Sequence, residues 1–260
     1  MLISLNKANF TMPVCYHPTT VLAVDDDSNF LETLSFSVSN QIALLCFEKP
    51  EKVLAYAKSN QPYLPFTSRC LIKTDESPKL NIMAIRNEIY NDNRFKEILI
   101  SVTDYDMPHI SGLDLIRTLE FPSEISQYAH IILTGKASME FKEELKELGT
   151  QEGYIGKDDP DYVGKLQNLI TEKTMAIFQR YAYIPARILS HDPQQQVCFL
   201  FDGNFTHVLN HHLQKSKACE MYLFDKQGSF LFINKQGQLS WFFMRNEKGI
   251  ENSIRLAMEY

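Results

Sequence analysis

Several things are missing from this sequence, and each absence closes a class of function. No stretch approaches the ~20 apolar residues of a membrane span. The first eighteen residues, MLISLNKANFTMPVCYHP, break their apolar character with Lys7 and Asn9, so they lack the h-region of a secretory signal. The five cysteines, Cys15, Cys46, Cys70, Cys198 and Cys219, are odd in number and show no CxxC spacing. That pattern argues against a disulfide framework and for free thiols in a reducing cytoplasm. A basic block is missing too. Net charge is -6 and the pI near 5.7, the wrong balance for a chain whose main business is a nucleic-acid surface. Residues 1–183 hold 18 basic and 25 acidic side chains, and residues 184–260 hold 8 and 7. Neither part reads as a DNA-reading module.

What is present is rhythm. Short apolar runs alternate with amphipathic stretches between residue 20 and about 180. Strands are predicted at 20–24, 42–47, 97–103, 129–134 and 152–156. Helices are predicted at Ser28 to about Ser39, 50–59, 112–120, 138–149 and 161–182. Apolar strands without polar alternation belong in a parallel sheet covered on both faces, and the βα order agrees. The fold class is α/β: a doubly wound sheet of five parallel strands, over residues 18–183.

Residues 60–96 do not fit that rhythm. Leu80, Met83, Ile85, Ile89 and Tyr90 approximate a helical apolar face, so the segment is predicted as a helical insert packed on the domain surface or offering a partner-docking site. After Tyr183 the character changes again. Pro185 is expected to end the long helix. EMYLF (220–224), SFLFIN (229–234) and LSWFFMR (239–245), separated by DKQG and NKQG turns, predict an antiparallel meander, with helices at 203–217 and 246–260. Residues 184–260 thus form a small α+β module of about 75 residues, near the lower limit for an independent core. Trp241, Phe242 and Phe243 are expected to fill that core.

The chemistry lies at strand ends, where open parallel sheets place their functional groups. The first strand ends in Asp25, Asp26 and Asp27, and the third in Asp104 with Asp106 two on. The fourth ends in Thr134 and the fifth in Lys157. Clustered carboxylates raise one another's pKa unless a cation intervenes, and a hard, oxygen-loving ion such as Mg2+ answers that need. Asp104 is then the candidate nucleophile and phosphorylation site. Asp25, Asp26, Asp104 and the backbone carbonyl of Asp106 are the candidate metal ligands, with Thr134 and Lys157 as partners of the phosphoryl oxygens.

The segments VLAVDDDSNFLETL, SVTDYDMPHISGLDLI, IILTGKAS and EGYIGKDD resemble, in order, the four signatures of bacterial two-component receiver domains. The likeness covers roughly residues 20–165 apart from the insert, and DxxMPxxxGLxL after a buried strand is its most specific part. It implies a flavodoxin-like fold of five parallel strands and a response regulator phosphorylated on Asp104 by a sensor histidine kinase or phosphotransfer protein. It also implies a switch pair of Thr134 and Tyr154, and no turnover of an external substrate. It also allows a homodimer through the face built from the helix at 138–149, the strand at 152–156 and the helix at 161–182. Asp106 and Lys136 occupy positions that tune phosphoryl lifetime in the family, and a near-pair between them is expected. Two departures stand out: the long Asp25–Asp104 separation created by the insert, and Asp158 where the family commonly has proline after the lysine.

Two other readings compete. A pseudo-receiver would keep the fold and not the chemistry. A DxD-type phosphatase of the haloacid-dehalogenase kind would use the second aspartate as general acid, but its DxD usually opens the chain, whereas here it follows the third strand. In the C-terminal module, DKQGSFLFIN resembles the central hairpin of PAS-type sensor modules only weakly. His207, His211, His212 and Cys219 could hold a metal or haem, although solvent-facing or core histidines are the simpler reading. With no helix-turn-helix pattern, this module is expected to bind a ligand or partner and no DNA, an unrecognised enzyme being the alternative.

Overall fold

The computed structural model describes residues 12–38, 42–59, 70–72, 79–119, 129–135, 143, 154–189 and 202–245. These fall into two compact units, and the chain passes between them more than once. Unit 1 is residues 18–65 and 92–177; unit 2 is residues 2–17, 66–91 and 178–260.

Unit 1 contains β2 (Thr20–Val24), α1 (Ser28–Val38), β3 (Ala43–Phe47) and α2 (Pro50–Ser59). A 3-10 turn over Asp92–Lys96 leads to β6 (Ile98–Asp104) and α4 (Gly112–Leu119). β7 (Ala129–Thr134), β8 (Tyr154–Gly156) and the first part of α5 (Tyr162–Leu189) complete it. All five strands are parallel, in the order β3-β2-β6-β7-β8. The central strands β2, β6 and β7 are buried almost throughout, as strands lacking polar alternation must be. Leu22 and Val24 pack with Val53 of α2 and Leu115 of α4. Ala23, Val102 and Leu133 face Leu31 and Leu34 of α1. Helices therefore cover both faces of the sheet, as predicted. Of the predicted helix at 138–149 only residue 143 is described, and it is helical; the predicted helix at 246–260 lies outside the described residues.

Unit 2 is built on a four-stranded antiparallel sheet in the order β1 (Cys15–Tyr16), β9 (Ala218–Leu223), β10 (Phe230–Asn234), β11 (Leu239–Phe242). The meander is β9, β10 and β11, with α6 (Gly203–Ser216) before it. The two predicted turns carry Gly228 and Gly237 at φ 99° and 74°, a region glycine enters without steric cost. The fourth strand, β1, comes from the N-terminal end and pairs Cys15 with Tyr222. Two residues are too short a run for periodicity to reveal.

The structure departs from the sequence-based expectation in four places. The insert is not one long helix. It forms the pair β4 (Leu71–Ile72) and β5 (Lys79–Leu80), then a short α3 (Ile82–Glu88). Leu80 and Ile85 are buried, but Met83 and Tyr90 are 61% and 84% exposed, so the expected apolar face is only half real. Nor does most of the insert, residues 66–91, group with the receiver-like unit. α3 contacts β9, and Arg86 donates from Nε to the Phe224 carbonyl at 2.8 Å, so the division of the chain is not the single cut at 183/184. The physical reason is core size: residues 184–260 alone sit near the limit of independent stability. Met12, Val14, Tyr16, Leu80 and Ile85, all buried, supply what they lack.

The long helix also passes through Pro185 and ends at Leu189. Proline costs such a helix one backbone hydrogen bond, yet the helix continues four residues beyond it. Finally, Trp241 and Phe243 do not fill the core. They are 43% and 57% exposed and stack on one another with ring centroids 5.5 Å apart and planes 7° apart. Phe242 alone turns inward, meeting Phe205 edge-on at 5.8 Å. Strand alternation explains this directly: residues 241 and 243 share the face that 242 leaves.

Candidate phosphoacceptor site

Strand register brings the four predicted strand ends into line. Val24 pairs with Thr103, so the next residues, Asp25 and Asp104, leave adjacent strands side by side. Asp104 pairs with Leu133, the neighbour of Thr134. Thr134 pairs with Gly156, immediately before Lys157, and the Lys157 N–H donates to the Thr134 carbonyl at 2.8 Å. The site sits where strand order reverses between β2 and β6, the switch point at which open α/β sheets bind ligands.

Each carboxylate has a distinct setting. Asp104 is buried; its Oδ2 accepts the Asp106 N–H at 3.0 Å, and its Oδ1 lies 2.8 Å from Lys157 Nζ. Asp25, also buried, accepts the Asp27 N–H at 3.0 Å on Oδ1, and its Oδ2 lies 2.6 Å from the same ammonium. Asp26 is exposed. The third aspartate of the triplet does something the sequence reading missed. Asp27 Oδ1 accepts the N–H groups of Asn29 and Phe30 at 3.0 and 3.2 Å, so it caps α1 by satisfying two of its orphan donors. An aspartate immediately before a helical run was the available signal.

Burial pushes the Asp25 carboxyl above its ordinary value, outweighing the lowering by Lys157 and the Asp27 N–H. Burial pulls the Lys157 ammonium down, but its hydrogen bonds to Asp104 and Asp25 outweigh that and hold it above the usual lysine value. Two buried acids sharing one cation is the like-charge arrangement that calls for a counter-charge.

Behind this cluster, Gly112 approaches the Asp104 loop closely. A Cβ there would meet the Asp104 carbonyl oxygen at 2.2 Å, so the glycine of the DxxMPxxxGLxL run is a requirement of contact. His109, in the same loop, adopts a left-handed φ of 73°.

The donor set fits a hard divalent ion. Oxygens of Asp25, Asp26 and Asp104 lie within 4.8 Å of one another, and carboxylate oxygens suit Mg2+. Asp106 adds its backbone to Asp104 and no carboxylate to that group. Thr134 is buried, and Tyr154 is 37% exposed on β8. Lys136 lies outside the described residues, and with it the expected pairing to Asp106. In unit 2, His207, His211 and His212 are exposed and Cys219 is buried. Among the described residues the aspartate cluster alone groups as a metal site, which leaves the histidines with the simpler reading. Among the same residues no helix is long and apolar enough to cross a membrane.

No protein-family model matches the chain, and no curated protein matches it. Solved structures do. The chain is similar to the Legionella pneumophila response regulator LqsR, with 27% identity and a TM-score of 0.71, over 96% of this chain and 73% of that one. Shorter matches include the Vibrio cholerae chemotaxis protein CheY4, at 18% identity and a TM-score of 0.40 over 59% of this chain and 98% of that one. A receiver domain protein from Methanospirillum hungatei matches at 17% and 0.42, over 63% and 98%. The parallel order β3-β2-β6-β7-β8, the aspartate cluster at its switch point and the similarity to LqsR agree: unit 1 has the receiver-domain fold of response regulators.

Proposed function

We propose that this chain is a cytoplasmic response regulator that accepts a phosphoryl group on Asp104 from a histidine kinase or phosphotransfer protein. The observation that carries the reading is the Lys157 ammonium held by Asp25 and Asp104 together, at 2.6 and 2.8 Å. In the reaction an Asp104 carboxylate oxygen attacks phosphorus. A P–O acyl bond forms while the bond to the donor's leaving group breaks, and the donor keeps that electron pair. Asp25 and Asp26 would hold Mg2+ together with Asp104, and the ion when bound supplies positive charge to offset the phosphoryl oxygens. The protein's own residues do the positioning. Lys157 leaves its carboxylates to neutralise a phosphoryl oxygen, and the Thr134 hydroxyl donates to another. The Asp106 N–H keeps Asp104 oriented through Oδ2, leaving Oδ1, now on Lys157, for attack.

Unit 2 is the output in this reading. Its exposed Trp241 and Phe243 support recognition of a partner or ligand, since large apolar residues grouped on a surface mark binding sites.

Incubation with acetyl phosphate and Mg2+, followed by mass spectrometry of the intact protein, tests the first half. One phosphoryl group is expected on the wild type and none on Asp104→Asn. No uptake by a folded wild type would leave a pseudo-receiver, and continuous turnover of a phosphomonoester would point to a phosphatase.

A further inference from the structure

Lys157 has a third neighbour besides its two carboxylates. Its Nζ stands 4.4 Å from the centroid of the Phe30 ring, within the range at which a ring face attracts a cation. Phe30 is placed there by a chain of local causes. Asp27 caps α1 and takes the Phe30 N–H at 3.2 Å, which fixes the first helical turn. From that turn the ring reaches back over the strand ends. It lines the same recess as Asp25 and Asp104, with Leu31, Leu34 and Leu133 behind it. It also meets Tyr162, at the start of α5, with centroids 6.1 Å apart. The ring of this α1 residue thus rests against a second helix and is half-buried.

We infer that Phe30 is a positioning residue for phosphoryl acceptance: its ring face holds the Lys157 ammonium at the mouth of the site. The inference rests on the phosphoacceptor reading above and assigns that site a residue outside its polar set. The reasoning is chemical. A lysine held only by Asp25 and Asp104 must give up both contacts to serve an incoming phosphoryl group, and it is then a flexible four-carbon stem with a point charge at its end. A third carboxylate would restrain it, but it would also compete for the cation and repel the phosphoryl oxygens. An aromatic face restrains the ammonium without offering a competing anion. The lysine can then turn from carboxylate to phosphoryl oxygen while keeping one contact throughout. The saving is the order lost when a mobile side chain must be fixed during reaction.

The test uses the full chain as wild type, Phe30→Tyr and Phe30→Leu, each labelled with acetyl phosphate and saturating Mg2+. Tyrosine keeps the ring face; leucine keeps apolar bulk without it. Phe30→Tyr should be labelled within about twofold of the wild-type rate, and Phe30→Leu about three- to tenfold more slowly. The ε-methylene protons of Lys157 should show an upfield ring-current shift by NMR in the first two and lose it in Phe30→Leu. Equal labelling rates in all three chains would overturn the role of Phe30. Equal slowing of both variants would reduce it to packing and overturn it as well. A wild type that takes no label would overturn the phosphoacceptor reading itself, an outcome the wild-type arm reports alone.

Discussion

The two larger sheets among the described residues use their surfaces in opposite ways. In unit 1 the central strands are buried on both faces, so nothing polar can be offered along their length. Chemistry is confined to the ends, where Asp25, Asp104, Thr134 and Lys157 meet. In unit 2 the antiparallel sheet buries β9 and β10 but leaves β11 alternating. Phe242 points inward while Leu239, Trp241 and Phe243 stay exposed. A parallel sheet wrapped by helices concentrates function at a point; an antiparallel sheet with an open edge spreads it over a face. The comparison also shows where disruption should be costly. The buried carboxylates of unit 1 are held by the charge of Lys157, so removing that charge should be costly. Removing an exposed aromatic of unit 2 should cost less.

The largest effect expected from a single change is in the core of unit 2. Phe230 is fully buried and contacts Phe205, and Phe230→Ala should lower stability by about 3–5 kcal/mol, read by urea denaturation. A loss below about 1 kcal/mol would mean that unit 2 lacks the packed core that sets its two faces apart.

Next comes Lys157, whose side chain is 20% exposed against 4% and 7% for the two carboxylates. Lys157→Ala leaves two buried acids facing each other without a cation and should cost about 3 kcal/mol. Mg2+ should then raise Tm more in the variant than in the wild type, because the ion replaces the missing charge. Equal Mg2+ shifts in both would break the link between the lysine and the acidic cluster.

A buried histidine in unit 1 gives a pH test. His130 on β7 pairs across the sheet with Ser101, whose Oγ lies 2.6 Å from its Nδ1. Burial, with the Lys173 charge assisting, lowers its pKa from 6.5 to about 4. The imidazole is therefore neutral in the fold, while the unfolded chain takes up a proton below pH 6.5. Its contribution is complete above that pH and is lost as pH falls toward about 4, amounting to at most about 3 kcal/mol. In His130→Phe this part of the acid slope should vanish, as measured by denaturation at pH 7 and pH 4.5. An unchanged slope would remove His130 as its source.

The smallest effect should come from Trp241→Ala. At 43% exposure the ring contributes stacking on Phe243 and an edge contact with Phe224 at 4.8 Å, so the loss should stay under about 1.5 kcal/mol. A cost near that of Phe230→Ala would show the aromatic row to be core after all and would erase the contrast between the two faces.

Most of unit 1 was legible in the sequence because its signals are local. Five apolar runs mark the strands, four of them end in residues with a single shared chemistry, and the DxxMPxxxGLxL run even contains the glycine that the Asp104 carbonyl crowds. The capping role of Asp27 was legible in kind but hidden inside an acidic triplet that reads as a cluster of ligands. Unit 2 was harder. LSWFFMR carries apolar residues on both sides of the strand, so periodicity gives no instruction about which side is covered. Met83 and Tyr90 failed for the same reason: an apolar pattern states what could be buried, and a neighbour decides what is.

By itself the sequence determined the five parallel strands, the strand-end residues and the antiparallel meander, because each follows from short-range hydrophobic pattern and turn chemistry. Tertiary structure alone decided that residues 12–17 and 79–91 complete the small unit, that a helix runs on through Pro185, and that Phe30 lies against Lys157. Those facts depend on which distant surfaces needed burying and which strand ends the register aligned. Separation along the chain hides such contacts, and only folding brings them within a few ångströms.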